Sequence, residues 1–216
     1  MPIQIIDAPQ RSDAWLRARV GLATASRADC VLAGSSTKTR IGYRAELIAE
    51  LLSGEPCESD FSSADMRRGV DLEPDALRAY EVRTGDLVHL VGFIRRTDIA
   101  AGCSPDGLVG DDGMVEAKCP KIHTHIGYLR AGELPAEYRP QVTHSLLVSE
   151  RQWCDFVSYC PKLPGNLSLF VKRIMRADVD LKEYERKLRA FLAEVDNELA
   201  ALRTITDLRG VLEASA

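Results

Sequence analysis

Asp106, Glu116 and Lys118 bring two carboxylates and one ammonium group together, with nine residues between the first pair and one between the second. On a β-strand, side chains two apart share a face, so Glu116 and Lys118 point one way while Val115 and Ala117 point the other. The turn-forming run Ser104-Pro105-Asp106-Gly107 predicts a hairpin whose connecting loop delivers Asp106 beside them. Two carboxylates make a hard-oxygen site for Mg²⁺ or Mn²⁺, and a neighbouring cation positions or helps deprotonate a water. Phosphodiester hydrolysis requires this combination, because negative charge accumulates on the phosphorus oxygens and both attacking and leaving oxygens need stabilisation. In this reading Asp106 bridges or anchors the metal, Glu116 and the Ala117 carbonyl complete its coordination, and Lys118 orients the nucleophilic water. The tripeptide Glu-x-Lys alone describes an exposed ion pair. Its conjunction with the Ser-Pro turn before Asp106 and with Cys119-Pro120 after the strand makes the unit specific.

The surrounding elements follow from hydrophobic periodicity. A strand is expected over 114–118, after Gly110-Asp111-Asp112-Gly113, and a β-rich run over 87–101. Leu47, Ile48, Leu51 and Leu52 mark one face of a helix over 44–52, with Gly54 as its stop. Met66, Val70, Leu77 and Tyr80 mark a second helical pattern over 62–83, which Pro74 is expected to kink or restart beside Glu73. A helix is predicted over 138–150, a strand over 153–159, and a long amphipathic packing helix over 179–202 carrying Leu181, Tyr184, Leu188, Phe191, Leu192, Val195, Leu199 and Leu202. This order is that of an α/β protein.

A chain of 216 residues, 45% of them hydrophobic, is long enough for one α/β domain and is expected to form one, over 1–216. It contains no apolar run of membrane-spanning length and no leader pattern, which predicts a soluble intracellular protein. Cys30, Cys57, Cys103, Cys119, Cys154 and Cys160 form no C-x-x-C pair, so free thiols are expected rather than a zinc or iron–sulfur site. A net charge of −4 argues against a protein that coats nucleic acid by bulk positive charge. Residues 11–44 nevertheless hold seven basic side chains against two acidic ones, a face compatible with gripping phosphates or with simple solvation. Lys38 and Arg40 within it are candidate phosphate contacts. His123 and His125 lack a nearby carboxylate or cysteine to complete a metal site and are expected in a solvated loop.

Five ordered segments carry a family likeness: 19–26 (RVGLATAS), 69–73 (GVDLE), 103–107 (CSPDG), 115–120 (VEAKCP) and 138–142 (YRPQV). The chain resembles the lambda exonuclease family, the YqaJ-type viral recombinases of the PD-(D/E)xK nuclease superfamily, over nearly its whole length. That resemblance implies a restriction-endonuclease-like core, a mixed central β-sheet flanked by helices and closed by the C-terminal amphipathic helix. It implies a 5′-to-3′ exonuclease that uses two Mg²⁺ ions, with Mn²⁺ able to substitute, and digests one strand of linear duplex DNA to leave a 3′ overhang for recombination by strand annealing. Carried over by motif, Glu73 is the remaining acidic metal ligand and catalytic residue, while Arg19, Ser26, Ser104 and Gln141 bind the terminal 5′-phosphate. One guanidinium and several neutral donors suit a dianion. Met66 stands where the family has an apolar wedge between the last base pairs, although a core methionine reads the same from sequence. A homotrimer around the DNA, a single-strand annealing partner, and a phage or prophage gene working in the bacterial cytoplasm are also implied. The alternatives are an endonuclease or flap-repair nuclease of the same fold, and a DNA-binding protein whose acidic cluster is only structural.

Overall fold

The computed structural model describes residues 3–57 and 64–213, and side chains within 3–57 and 67–205. Its elements run β1 (Ile3–Ile6), α1 (Asp13–Ala18), β2 (Ala23–Thr24), α2 (Ala28–Leu32), α3 (Lys38–Ser53), α4 (Ala64–Thr84), β3 (Val88–His89), β4 (Phe93–Arg96), β5 (Ala101–Cys103), β6 (Gly107–Val109), β7 (Gly113–Lys118), α5 (Ile122–Ala131), α6 (Arg139–Ser149), β8 (Trp153–Tyr159), β9 (Leu169–Met175) and α7 (Leu181–Glu213). Two mixed sheets result, ordered β1-β4-β5-β2 and β3-β6-β7-β8-β9. In the larger sheet β7 lies parallel to β8 from Gly113↔Trp153 to Lys118↔Ser158, and the other pairs are antiparallel. A parallel neighbour requires a crossover, which α5 and α6 supply.

The two faces of β7 serve different ends. Val115, Ala117 and Cys119 pack with Ala76, Leu77 and Tyr80 of α4 in one apolar cluster. Met114 joins the other cluster, with Leu146 and Leu147 of α6, the α3 residues Tyr43, Leu47 and Ile48, and the α7 residues Tyr184, Leu188, Phe191, Val195 and Leu199. Burying each such leucine or phenylalanine is worth about 1.5–3 kcal/mol, which explains how α7 is held from Tyr184 to Leu199. Tyr43 stacks on Phe191 at a centroid distance of 5.5 Å where α3 meets α7. On the opposite side of the large sheet, Tyr80 donates to buried Asp155 at 2.7 Å and Arg173 closes on both oxygens of that carboxylate at 2.8 and 2.7 Å. This bond fixes α4 to β8.

Several expectations are corrected. The turn of the β6–β7 hairpin is 110–112, and Asp106 instead precedes β6, in the segment that passes from the small sheet to the large one. α4 continues through Pro74, whose ring is exposed, so no second helix begins beside Glu73. Leu51, Leu52 and Val70 are exposed, and only part of each expected apolar face is buried. The expected helix start at Ser62 lies outside the described residues. α7 runs eleven residues beyond Leu202, counting from 202 to 213. His123 and His125 lie on α5, not in a loop, and His125 is fully buried, with Nε2–H donating to the Leu167 carbonyl and Nδ1 accepting from the Ser158 hydroxyl. The basic stretch is largely paired from outside: Arg27 with Glu46, Arg40 and Arg44 with Glu194, and Arg11 with Glu73. Arg40 is buried in that pairing and is unavailable to a phosphate, whereas Lys38 is exposed. All six thiols are free, five of them buried. Among the described residues, no helix is long and apolar enough to cross a membrane.

Candidate active site

Asp106 is fixed against β7 before the β6 ladder begins. Its amide donates to the Val115 carbonyl at 3.1 Å, and its Oδ2 accepts from the Ala117 amide at 2.6 Å. Strand alternation turns Glu116 and Lys118 to the α6 face, as the spacing predicts, where Lys118 Nζ donates to Glu116 Oε1 and Gln141 of α6 donates to the same oxygen. Glu116 is only 3% exposed. Tyr138, at the approach to α6, places its ring 5.5 Å from Lys118 Nζ. Across the cleft, Glu73 of α4 is held by Arg11 at 3.1 Å. Arg11 adopts the left-handed backbone conformation (φ 71°), which non-glycine residues take at some cost in strain.

The electrostatics are those of a carboxylate cluster short of positive charge. Burial in the cleft holds the Asp106 carboxyl well above the usual carboxylate range; the charges of Glu116 and Glu73 push the same way, against Lys118 and the Ala117 amide. Burial opposes the charge on Lys118, but Glu116 and Asp106 outweigh it and keep the ammonium above the ordinary lysine range. The Cys119 thiol is pushed up to about 11, first by burial and then by Glu73 and Asp106. Glu73 and Glu116 each have a cation in direct contact, whereas among the described residues the Asp106 carboxylate accepts from the Ala117 amide and feels Lys118 only at longer range. A hard divalent cation beside Asp106 would relieve that imbalance, and oxygen donors are what it prefers. Among the described residues no three His, Cys, Asp or Glu side chains form a ready-made cage. The donors that fit are Asp106, Glu116 and the Ala117 carbonyl, with Glu73 after release from Arg11.

Arg19, Ser26, Ser104, Gln141, Glu73, Asp106, Glu116, Ala117 and Lys118 all line one cleft of about 710 Å³. Met66 stands on α4, but its side chain is outside the described residues. Sequence reasoning missed Trp15, whose indole N–H reaches Ser104 Oγ at 2.8 Å and the Gly92 carbonyl at 3.3 Å, while the Arg19 guanidinium stacks 3.9 Å above its ring. The separation of four between Trp15 and Arg19, one helical turn, was the available signal. Gln10 was also missed; it braces the carbonyls of Val91 at 3.1 Å and Pro105 at 2.9 Å, next to Asp106. Burial lowers the Arg19 pKa, and no carboxylate pairs with its guanidinium among the described residues.

The two mixed sheets with flanking helices, and a cleft that gathers carboxylates and lysine at the end of β7, define a fold and site of the exonuclease class. Residues 14–152 match the YqaJ-like viral recombinase domain, and the chain belongs to that family. The alkaline exonuclease LHK-Exo from Laribacter hongkongensis is 41% identical, with a TM-score of 0.82 over 91% of this chain and 100% of that one. Its complex with dAMP gives 0.83 at the same identity and coverage. A phage-related exonuclease from Haemophilus somnus 129PT shares the fold at 13% identity, with a TM-score of 0.64 over 86% of this chain and 96% of that one. No curated protein matches.

Proposed function

We propose that the chain is a Mg²⁺-dependent exonuclease that digests one strand of linear double-stranded DNA from a 5′-phosphorylated end, 5′ to 3′, leaving a 3′ overhang for strand annealing. The observation that carries this reading is the convergence, in one cleft, of Asp106, Glu116 and Lys118 with Arg19, Ser26, Ser104 and Gln141. Arg19 and the neutral donors suit a terminal phosphate dianion, and Trp15 holds both the guanidinium plane and the Ser104 hydroxyl for it. Lys118 lies within reach of Glu116 to hold and align a water for in-line attack, and Gln141 fixes the second contact on that carboxylate. Asp106, Glu116, Glu73 and the Ala117 carbonyl would hold the divalent ions, two Mg²⁺ or Mn²⁺, which supply charge neutralisation at the phosphorus oxygens when bound. The viral recombinase family supports a phage or prophage origin, a single-strand annealing partner, and assembly as a homotrimer in the bacterial cytoplasm.

The test is degradation of end-labelled linear duplex by the purified protein. Mg²⁺ supports activity, Asp106→Ala and Lys118→Ala abolish it while circular dichroism stays native, and covalently closed circles resist. Full activity in either folded variant overturns the site, and rapid cutting of closed circles would make the protein an endonuclease.

A further inference from the structure

Arg11 stands in the left-handed backbone region (φ 71°), a conformation that glycine adopts freely and that a side chain makes costly. Anchors lie on both sides of it. Gln10 donates to the Val91 and Pro105 carbonyls, and Ser12 caps α1 by accepting from the Trp15 amide. From between them the Arg11 side chain reaches α4, where its Nη2 donates to Glu73 Oε2, 62 residues further along the chain. This contact is unlike the arginine–carboxylate pairs that hold the fold. Arg173 closes on Asp155 through two nitrogens and Arg40 on Glu194 through two, and in each case one partner is buried. Arg11 makes a single contact at 3.1 Å, with its side chain 52% exposed and that of Glu73 24% exposed. A one-point pair open to water is held weakly.

Its place decides what that weakness is for. Glu73 lines the same cleft as Asp106, Glu116 and the Ala117 carbonyl, and three carboxylates gathered there repel one another unless cations intervene. Lys118 meets that need at Glu116, and Arg11 meets it at Glu73. We propose that Arg11 is a positioning residue exchanged for the divalent cation: its guanidinium holds Glu73 while the cleft is metal-free and yields that carboxylate to the incoming ion. A hard divalent ion prefers carboxylate oxygen, so a single half-exposed contact is one it can displace. Arg11 thereby keeps the Glu73 side chain turned into the cleft and sets how much metal the site requires. This exchange rests on the metal-dependent nuclease reading, which makes Glu73 a ligand.

Mn²⁺ binding to the DNA-free protein, followed by loss of the free-ion electron paramagnetic resonance signal, tests it without any turnover. Arg11→Gln should bind Mn²⁺ about twofold to fivefold more tightly than wild type, ~0.4–1 kcal/mol. Arg11→Gly, which suits the left-handed backbone and so protects the fold, should show a gain in the same range. Glu73→Gln should weaken binding, and in that background the gain from Arg11→Gln should fall by at least half, because the guanidinium then has no carboxylate to yield. A gain below about twofold in either folded variant, or a smaller fall in the Glu73→Gln background, overturns the exchange. Failure of the underlying reading looks different: wild-type protein that binds no Mn²⁺, or Glu73→Gln that leaves binding unchanged, overturns the metal site itself and the exchange with it.

Discussion

Replacing Arg19 with glutamine removes the only full positive charge among the four residues assigned to the 5′-phosphate, and it keeps a polar side chain in the space. The guanidinium is partly buried, stacked on Trp15 at 3.9 Å and without a carboxylate partner among the described residues, so a phosphate would meet it as an uncompensated cation. Two unit charges about 4 Å apart at an effective dielectric of about 20 interact by about 4 kcal/mol. Solvent at the open cleft roughly halves that, to about 2 kcal/mol, and the charge-assisted hydrogen bonds, which the glutamine amide replaces in part, bring the loss up by at most about 2 kcal/mol more. The net expectation is a loss of roughly 2–4 kcal/mol, or about 30- to 1,000-fold in kcat/KM, on ends that carry a 5′-phosphate. On 5′-hydroxyl ends the same substitution should change kcat/KM less than about threefold, ~0.65 kcal/mol, because the interaction it deletes is absent. The assay is a two-by-two cycle of wild type and variant on duplexes differing only in that phosphate, in Mg²⁺. Equal losses on both ends would refute the phosphate assignment and mark Arg19 as structural.

His144 predicts an acid-sensitive fold. Its Nε2–H donates to the Gly102 carbonyl at 3.0 Å, its Nδ1 accepts from the Tyr184 hydroxyl at 2.8 Å, and burial lowers its pKa to about 4. The unfolded chain takes up a proton near pH 6.5 that the folded chain refuses, so this contribution is complete above about pH 6.5 and is lost as pH falls toward 4, by roughly 3 kcal/mol. Urea midpoints measured across that window should fall less steeply in His144→Gln than in wild type, and parallel curves would count against the buried neutral imidazole. Tyr80→Phe removes one donor from the buried Asp155 carboxylate while Arg173 remains, and should cost about 1.5–3 kcal/mol in urea unfolding with an unchanged m-value; a shift below about 0.5 kcal/mol would show that Arg173 alone satisfies Asp155.

Strand periodicity read β7 and β8 to within a residue, and with them the shared face of Glu116 and Lys118, because period-two alternation is strictly enforced where both faces of a sheet are packed. The apolar stripe of α7 was legible because its residues recur with the 3.6-residue period of a helix buried on one face. What failed was tertiary in origin. Asp106 was assigned to a hairpin loop because Ser-Pro-Asp-Gly is a strong local turn signal, yet here the turn joins two sheets. The basic run of residues 11–44 was compatible with a phosphate-gripping face or with simple solvation, and its partners Glu46, Glu73 and Glu194, which lie outside that window, pair with Arg27, Arg11, Arg40 and Arg44 but not with Arg19. His125 has a polar sequence neighbourhood but is buried by β8 and the loop before β9, which no local pattern reveals. The short strands β1 and β2, the short helices α1 and α2, and β9 carried too few residues, or too weak an alternation, to stand out.

The crossover through α5 and α6 has a consequence for synthesis on the ribosome. Gln141 reaches Glu116 only after that excursion has docked, and β7 acquires its parallel neighbour only when residues 153–159 have emerged. A growing polypeptide that already contains every acidic residue of the cleft therefore lacks the geometry to use them. Assembly of the cleft therefore depends on pairing across a long separation, and a fragment that ends before β8 is expected to be inactive as a nuclease.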